Sequence, residues 1–102
     1  MDLDTKIKDQ IIKVILGHKK ADKIILFGSR ARGDSQATSD IDLAVMDKNW
    51  TNSDINLTQD ALNHQVKTPL EIDLINFYDL KKNRLRELIL EEGKVIYESG
   101  KN

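Results

Sequence analysis

The sequence predicts a small α/β (α+β) fold, a mixed sheet with helices packed on one face. Three observations predict it. Apolar residues recur at three- and four-residue steps in three segments, alternate with polar residues in two others, and form one short unbroken run. These segments follow the order helix, strand, turn, strand, helix, strand, helix. The chain of 102 residues holds one domain, 1–102, with no repeat, low-complexity tract or linker.

The first helix is expected over residues 3–16, where Leu3, Ile7, Ile11, Val14 and Ile15 share a face. Asp2 or Asp4 can cap its start, and Gly17 suits the position just past its end. Lys23 to Phe27 is a short apolar run, as in a strand buried on both faces. Gly28-Ser29 ends it, residues 29–34 can form one helical turn, and 34–39 is a polar loop. In 40–46, Asp40, Asp42 and Ala44 point one way and Ile41, Leu43 and Val45 the other. Asn52 or Ser53 can cap a second helix carrying Ile55, Leu62 and Val66, which ends before Pro69. In 70–77, Leu70, Ile72 and Leu74 oppose Glu71, Asp73 and Ile75. A last helix near 79–92 uses Leu85, Leu88 and Ile89 and stops at Gly93, and Val95 to Tyr97 adds an extended piece.

Composition removes several classes of function. Sixteen Lys and Arg against 17 Asp and Glu leave a net charge of −1, so no global basic field attracts a nucleic-acid backbone. Cysteine is absent and only His18 and His64 represent histidine, which excludes thiolate chemistry and argues against a multi-histidine zinc site. No apolar run reaches the roughly 18 residues of a membrane helix, and the first residues lack a signal-peptide core. The expectation is a soluble cytoplasmic protein.

The informative stretch is Gly28 to Leu43, GSRARGDSQATSDIDL. A glycine after a buried strand lets the backbone approach a ligand closely, and the amides of the following turn, with the Ser29 hydroxyl, can cradle phosphate oxygens. Arg30 and Arg32 add positive charge beside that cradle. A Gly-Ser pair after a strand is equally a plain tight turn. Asp40 and Asp42 stand two residues apart in an alternating strand, so both carboxylates share a face and can share a cation. Spacing alone proves nothing, because Asp2 and Asp4 have the same spacing at a helix cap. Asp73 is the third acid, on the polar side of another alternating strand. If the two strands are neighbours, three carboxylates converge beside the glycine bend. Three acids and a phosphate cradle are what magnesium-assisted nucleotidyl transfer requires.

Gly28-Ser29, ten residues, then Asp40-x-Asp42 resembles the signature of the DNA polymerase beta-like nucleotidyltransferase superfamily. The fuller string GSRARG…SDIDL, with Asp73 in EIDLI, is similar to its minimal nucleotidyltransferase (MNT) branch, and the similarity runs over nearly the whole chain. The resemblance implies the polymerase beta-like core and a set of roles. Asp40, Asp42 and Asp73 would be the catalytic, Mg²⁺-binding acids, with Asp73 helping to deprotonate the acceptor hydroxyl. Gly28 and Ser29 would hold the β- and γ-phosphates of ATP. Arg30 would contact phosphate, and Arg32 would either do the same or buttress the loop by pairing with an acid. It further implies an antitoxin that forms a hetero-oligomer with a HEPN-domain toxin and transfers AMP from ATP to a tyrosine hydroxyl of it. Little chain remains to bind an acceptor, so the acceptor is expected on another molecule. Two alternatives share the motif: an antitoxin that neutralises its toxin by contact alone, and a small-molecule nucleotidyltransferase of the aminoglycoside-modifying kind.

Other residues carry plainer expectations. Asp34 reads as a turn residue rather than a fourth ligand, and Glu71 as a solvated strand residue. His18 and His64 read as surface residues. Trp50 covers either the core edge or an interface. Lys81, Lys82, Arg84 and Arg86 are balanced by Glu87, Glu91 and Glu92, as on a solvated helix face.

Overall fold

The structure is a computed structural model that describes residues 1–81 and 83–100. The chain runs α1 (Thr5–His18), β1 (Lys23–Phe27), α2 (Ser29–Arg32), β2 (Ile41–Met46), α3 (Asn52–Gln65), β3 (Ile72–Asn76), a 3-10 turn (Phe77–Asp79), α4 (Arg84–Glu92) and β4 (Lys94–Glu98). The four strands form one sheet in the order β3-β2-β1-β4. β1 pairs antiparallel with β2 and with β4, whereas β2 pairs parallel with β3. A parallel joint needs a crossover, and α3 provides it.

The alternation read in the strands is the alternation in the fold. On one face, Ile24, Leu26, Ile41, Leu43, Val45, Ile72 and Leu74 pack with Ile11 and Ile15 of α1 and Leu62 of α3. Burying each of these side chains is worth roughly 1.5–3 kcal/mol. The second face departs from the expectation that all helices share one side. There Ile25 and Ala44 form a smaller cluster with Phe77 and Ile89, so α4 covers part of the face opposite α1 and α3. A sheet whose central strand is buried on both sides needs a cover on both sides, and α4 supplies the second.

Several boundaries shift for identifiable reasons. α1 is capped by Asp4, whose carboxylate accepts from the Lys6 and Ile7 amides, and it continues through Gly17 to His18. Gly17 lacks the positive φ of a helix-ending glycine, so it stays inside the last turn. α3 is capped one residue earlier than expected, by Thr51, because Asp54 completes a reciprocal capping box with it. The last helix begins at Arg84 under an Asn83 cap rather than near 79, and Asn76 caps the separate 3-10 turn before it. Gly93 ends α4, and β4 extends the expected 95–97 piece. Lys82 lies outside the described residues.

Two side chains close the margins of the fold. Gln59 of α3 donates to the Ile72 carbonyl (2.6 Å) and accepts from the Leu74 amide (2.8 Å), which caps the outer edge of β3 as a neighbouring strand would. Trp50 belongs to the core edge: it is 4% exposed and its indole donates to the Lys20 carbonyl at 2.7 Å.

Candidate active site

The site is built where the polar side of β2 meets the end of β1. The β2–β3 register places Asp42 directly opposite Asp73, with Ile41 opposite Ile72 and Leu43 opposite Leu74. Because the strands are parallel and in step, both carboxylates leave the sheet on the same face. Across the other joint Asp42 pairs with Phe27, the last residue of β1, so the chain turns at Gly28 immediately beside it.

Gly28 has φ 77 and ψ −158, a region that only glycine occupies without strain. A Cβ built there would stand 2.6 Å from Asp42 Oδ2. The backbone thus comes as near to the carboxylate as glycine allows. Gly28 occupies the cap position of α2 with no side-chain cap on the first amides, and Ser29 follows as the first helical residue.

Electrostatics marks Asp42 as the centre of the acidic group. Burial pushes its carboxyl above the usual range, and the neighbouring charges of Asp73 and then Asp40 push it the same way. Asp40 precedes β2 and is exposed, as is Asp73. Among the described residues, no three His, Cys, Asp or Glu side chains already enclose a metal position. The chemistry of the donor set fits a hard divalent cation: hard oxygen donors, mutually repelling, one of them half-buried. Mg²⁺ takes one or two carboxylates together with substrate phosphates rather than a closed protein cage.

Both arginines are engaged by the protein itself. Arg30 does not present itself to phosphate. It is 9% exposed, and its guanidinium donates from Nε to the Ser39 carbonyl (2.9 Å), from Nη1 to Asp2 (3.0 Å) and from Nη2 to Ala37 (3.3 Å) and Gln36 (3.4 Å). Four carbonyls consume the fork that a phosphate would use. Arg32 takes the buttress alternative, pairing with Asp34 at 3.2 Å and Glu92 at 3.7 Å. Asp34, just past the turn at Gly33, is thereby paired with Arg32, and Glu71 is exposed immediately before β3 rather than within it.

His18 is exposed, as a surface residue should be, and is also hydrogen-bonded to Asp54 at 3.0 Å and tilted against Trp50. His64 is exposed and sits beside Asp60 of its own helix. In the basic cluster, Arg84 pairs with Glu87 and Glu91, while Arg86 lies over the Phe77 ring at 5.0 Å. Sequence reasoning missed Asp2 and Ser35. Asp2 Oδ2 accepts from the Ser35 hydroxyl at 2.7 Å, a contact across 33 residues that no local pattern announces.

A groove of about 490 Å³ lies between α3 and the outer edge of β3. Gln59, Asn63, Leu70, Glu71 and Asp73 are among its lining residues. The glycine bend lies on the β1 side of Asp42 and this groove on the β3 side.

A chain in the crystal structure of a toxin–antitoxin complex with AMP-PNP superposes with a TM-score of 0.75 at 23% identity, covering 91% of this chain and 74% of that one. A mutant of the MntA–HpeT toxin–antitoxin gives 0.74 at 22% identity with the same coverage. A nucleotidyltransferase from Sulfolobus solfataricus gives 0.62 at 21% identity, covering 95% and 82%. A minimal nucleotidyltransferase gives 0.65 at 28% identity, covering 85% and 86%. No curated protein matches the chain. The family model described as polymerase beta, nucleotidyltransferase matches residues 9–102. With that match over almost its entire length, and with paired acids at a glycine bend, the chain belongs to the polymerase beta-type nucleotidyltransferase family.

Proposed function

We propose that the chain is a Mg²⁺-dependent nucleotidyltransferase that moves AMP from ATP to a tyrosine hydroxyl of a HEPN-domain toxin and so acts as its antitoxin. The observation that carries the reading is the in-step pairing of Asp42 and Asp73 beside the Gly28 bend, in a chain of this family.

Asp40, Asp42 and Asp73 would hold the metal. When bound, Mg²⁺ neutralises the triphosphate and lowers the barrier to hydroxyl attack. The Ser29 amide and hydroxyl at the Gly28 bend would receive phosphate oxygens. Asp73 accepts the proton that the acceptor hydroxyl loses. The hydroxyl oxygen forms a bond to the α-phosphorus, the α–β bridging bond breaks, and pyrophosphate leaves with the bond electrons. In-line displacement needs entering and leaving oxygens on opposite sides of the phosphorus. Arg30 has no part in this chemistry except through the loop it holds. The solved toxin–antitoxin complexes of the same fold, one of them with AMP-PNP, favour a toxin partner and an adenine nucleotide.

The test is direct. The purified chain, Mg²⁺, ATP and a HEPN partner should yield partner carrying one AMP on tyrosine by mass spectrometry, with none when EDTA is present. A folded Asp40→Asn/Asp42→Asn double variant should lose both the transfer and the neutralisation. Neutralisation that survives in that variant would reject catalysis in favour of neutralisation by contact.

A further inference from the structure

Asp2 lies outside every helix and strand, yet its polar groups all lead to one place. Its amide donates to the Arg30 carbonyl (2.7 Å) and its carbonyl accepts from Arg30 Nη1 (3.0 Å). Its carboxylate accepts from the Ser35 hydroxyl (2.7 Å) and the Ser35 amide (3.3 Å). Arg30 then reaches the far end of the same loop, at the carbonyls of Gln36, Ala37 and Ser39. Ser39 closes that end, its hydroxyl accepting from the Gln36 amide at 2.9 Å.

The segment so held is the polar loop 34–39, which has only Ala37 to bury and joins no strand. Such a loop takes its shape from polar contacts or from none. It leads directly into Asp40, and Arg30 belongs to the turn that Gly28 opens. Asp2 therefore ties the acidic end of the site to its glycine end. α1 does not depend on it, because Asp4 caps that helix.

We infer that Asp2, Arg30 and Ser35 are positioning residues, a clasp through which the N-terminal segment fixes Asp40 relative to the Gly28-Ser29 bend. The inference rests on the nucleotidyltransferase reading of the site. None of the three touches the substrate. They act by holding the loop in the one shape that brings Asp40 to the metal and the phosphates, and a small displacement of such a group is costly.

Asp2→Ala, Asp2→Asn and Ser35→Ala separate this role from a general contribution to folding. Asp2→Ala should speed amide hydrogen exchange at 35–39 while exchange in β1 and β2 stays as in the wild type. It should weaken calorimetric binding of AMP-PNP with Mg²⁺ by at least about tenfold. Ser35→Ala should do the same to a smaller degree, since the Ser35 amide still donates to Asp2. Asp2→Asn keeps an oxygen acceptor and should restore most of the binding. Wild-type affinity in Asp2→Ala would overturn the clasp while leaving the nucleotide site standing. Weakened binding with unchanged loop exchange, or with slowed folding throughout and no rescue by Asp2→Asn, would overturn it as well. A wild-type protein that binds no Mg²⁺ with AMP-PNP rejects the nucleotidyltransferase reading, and the clasp's function with it.

Discussion

Asp42 and Asp73 stand opposite each other in register on adjacent parallel strands, two like charges held side by side. Burial, then Asp73, then Asp40 act against the ionised form of Asp42. Such a pair weakens the unliganded fold and becomes favourable once a cation is bound.

Asp42→Asn should therefore separate stability from activity. Adenylyl transfer is expected to fall by about two orders of magnitude or more. The metal-free melting temperature should hold or rise, because one of the opposed charges is gone. Calorimetry and transfer assays on one preparation check both halves. A variant that melts well below the wild type without metal would contradict the account of Asp42.

Gly28→Ala tests the close approach. The new methyl would meet Asp42 Oδ2 and place alanine at a φ that it disfavours. A loss of about 1–3 kcal/mol of stability is expected, together with loss of nucleotide binding. Urea unfolding and titration with Mg²⁺ and AMP-PNP measure the two effects. Gly33→Ala provides a control, since a Cβ there meets nothing within 4 Å although its φ is also positive.

Asp54 gives the pH dependence a sign. The Lys19 ammonium, the Thr51 amide and the His18 ring hold its carboxyl well below the usual carboxylate range. A carboxyl whose pKa is depressed by folding contributes stability above its unfolded value, and that stability is lost as pH falls. The wild type should exceed Asp54→Asn in stability near neutral pH, and the gap should close as pH drops below about 4. Thermal melts of both proteins across that range read it directly.

Gln59→Ala should uncover the rim of β3. Two hydrogen bonds to its backbone are lost, at a cost of about 1–3 kcal/mol. The bare strand should also promote self-association, visible as a concentration-dependent shift in sedimentation. A monomeric and equally stable variant would show that the amide caps nothing of consequence.

What could be read from the sequence follows a division between local and distant causes. The side on which Asp42 and Asp73 project was legible, because strand alternation has a period of two and the opposite positions are Ile and Leu. That β2 and β3 are neighbours was not, since pairing is chosen by packing around α3 and not by either strand alone. The fate of Arg30 was illegible for the same reason. Whether a guanidinium is free depends on which carbonyls surround it, and those belong to Asp2 and to 36–39. Thr51 as a cap could have been found by weighing Asp54 three residues later. The opposite-face position of α4 had one available signal, the doubly buried run of β1, which requires two covers.

The parallel joint between β2 and β3 also sets which changes in length the protein can absorb. Its 25-residue connection from Asp47 to Glu71 lies outside the two strands, so residues gained or lost there need not disturb how the strands meet. A shift of β3 by a single position is another matter. It would bury Asp73 where Ile72 or Leu74 now sits and turn an isoleucine or leucine toward the face from which Asp42 projects. The greasy side chains on the back of β3 thus proofread the front, since any misthreaded copy forfeits both its interior and its chemistry at once.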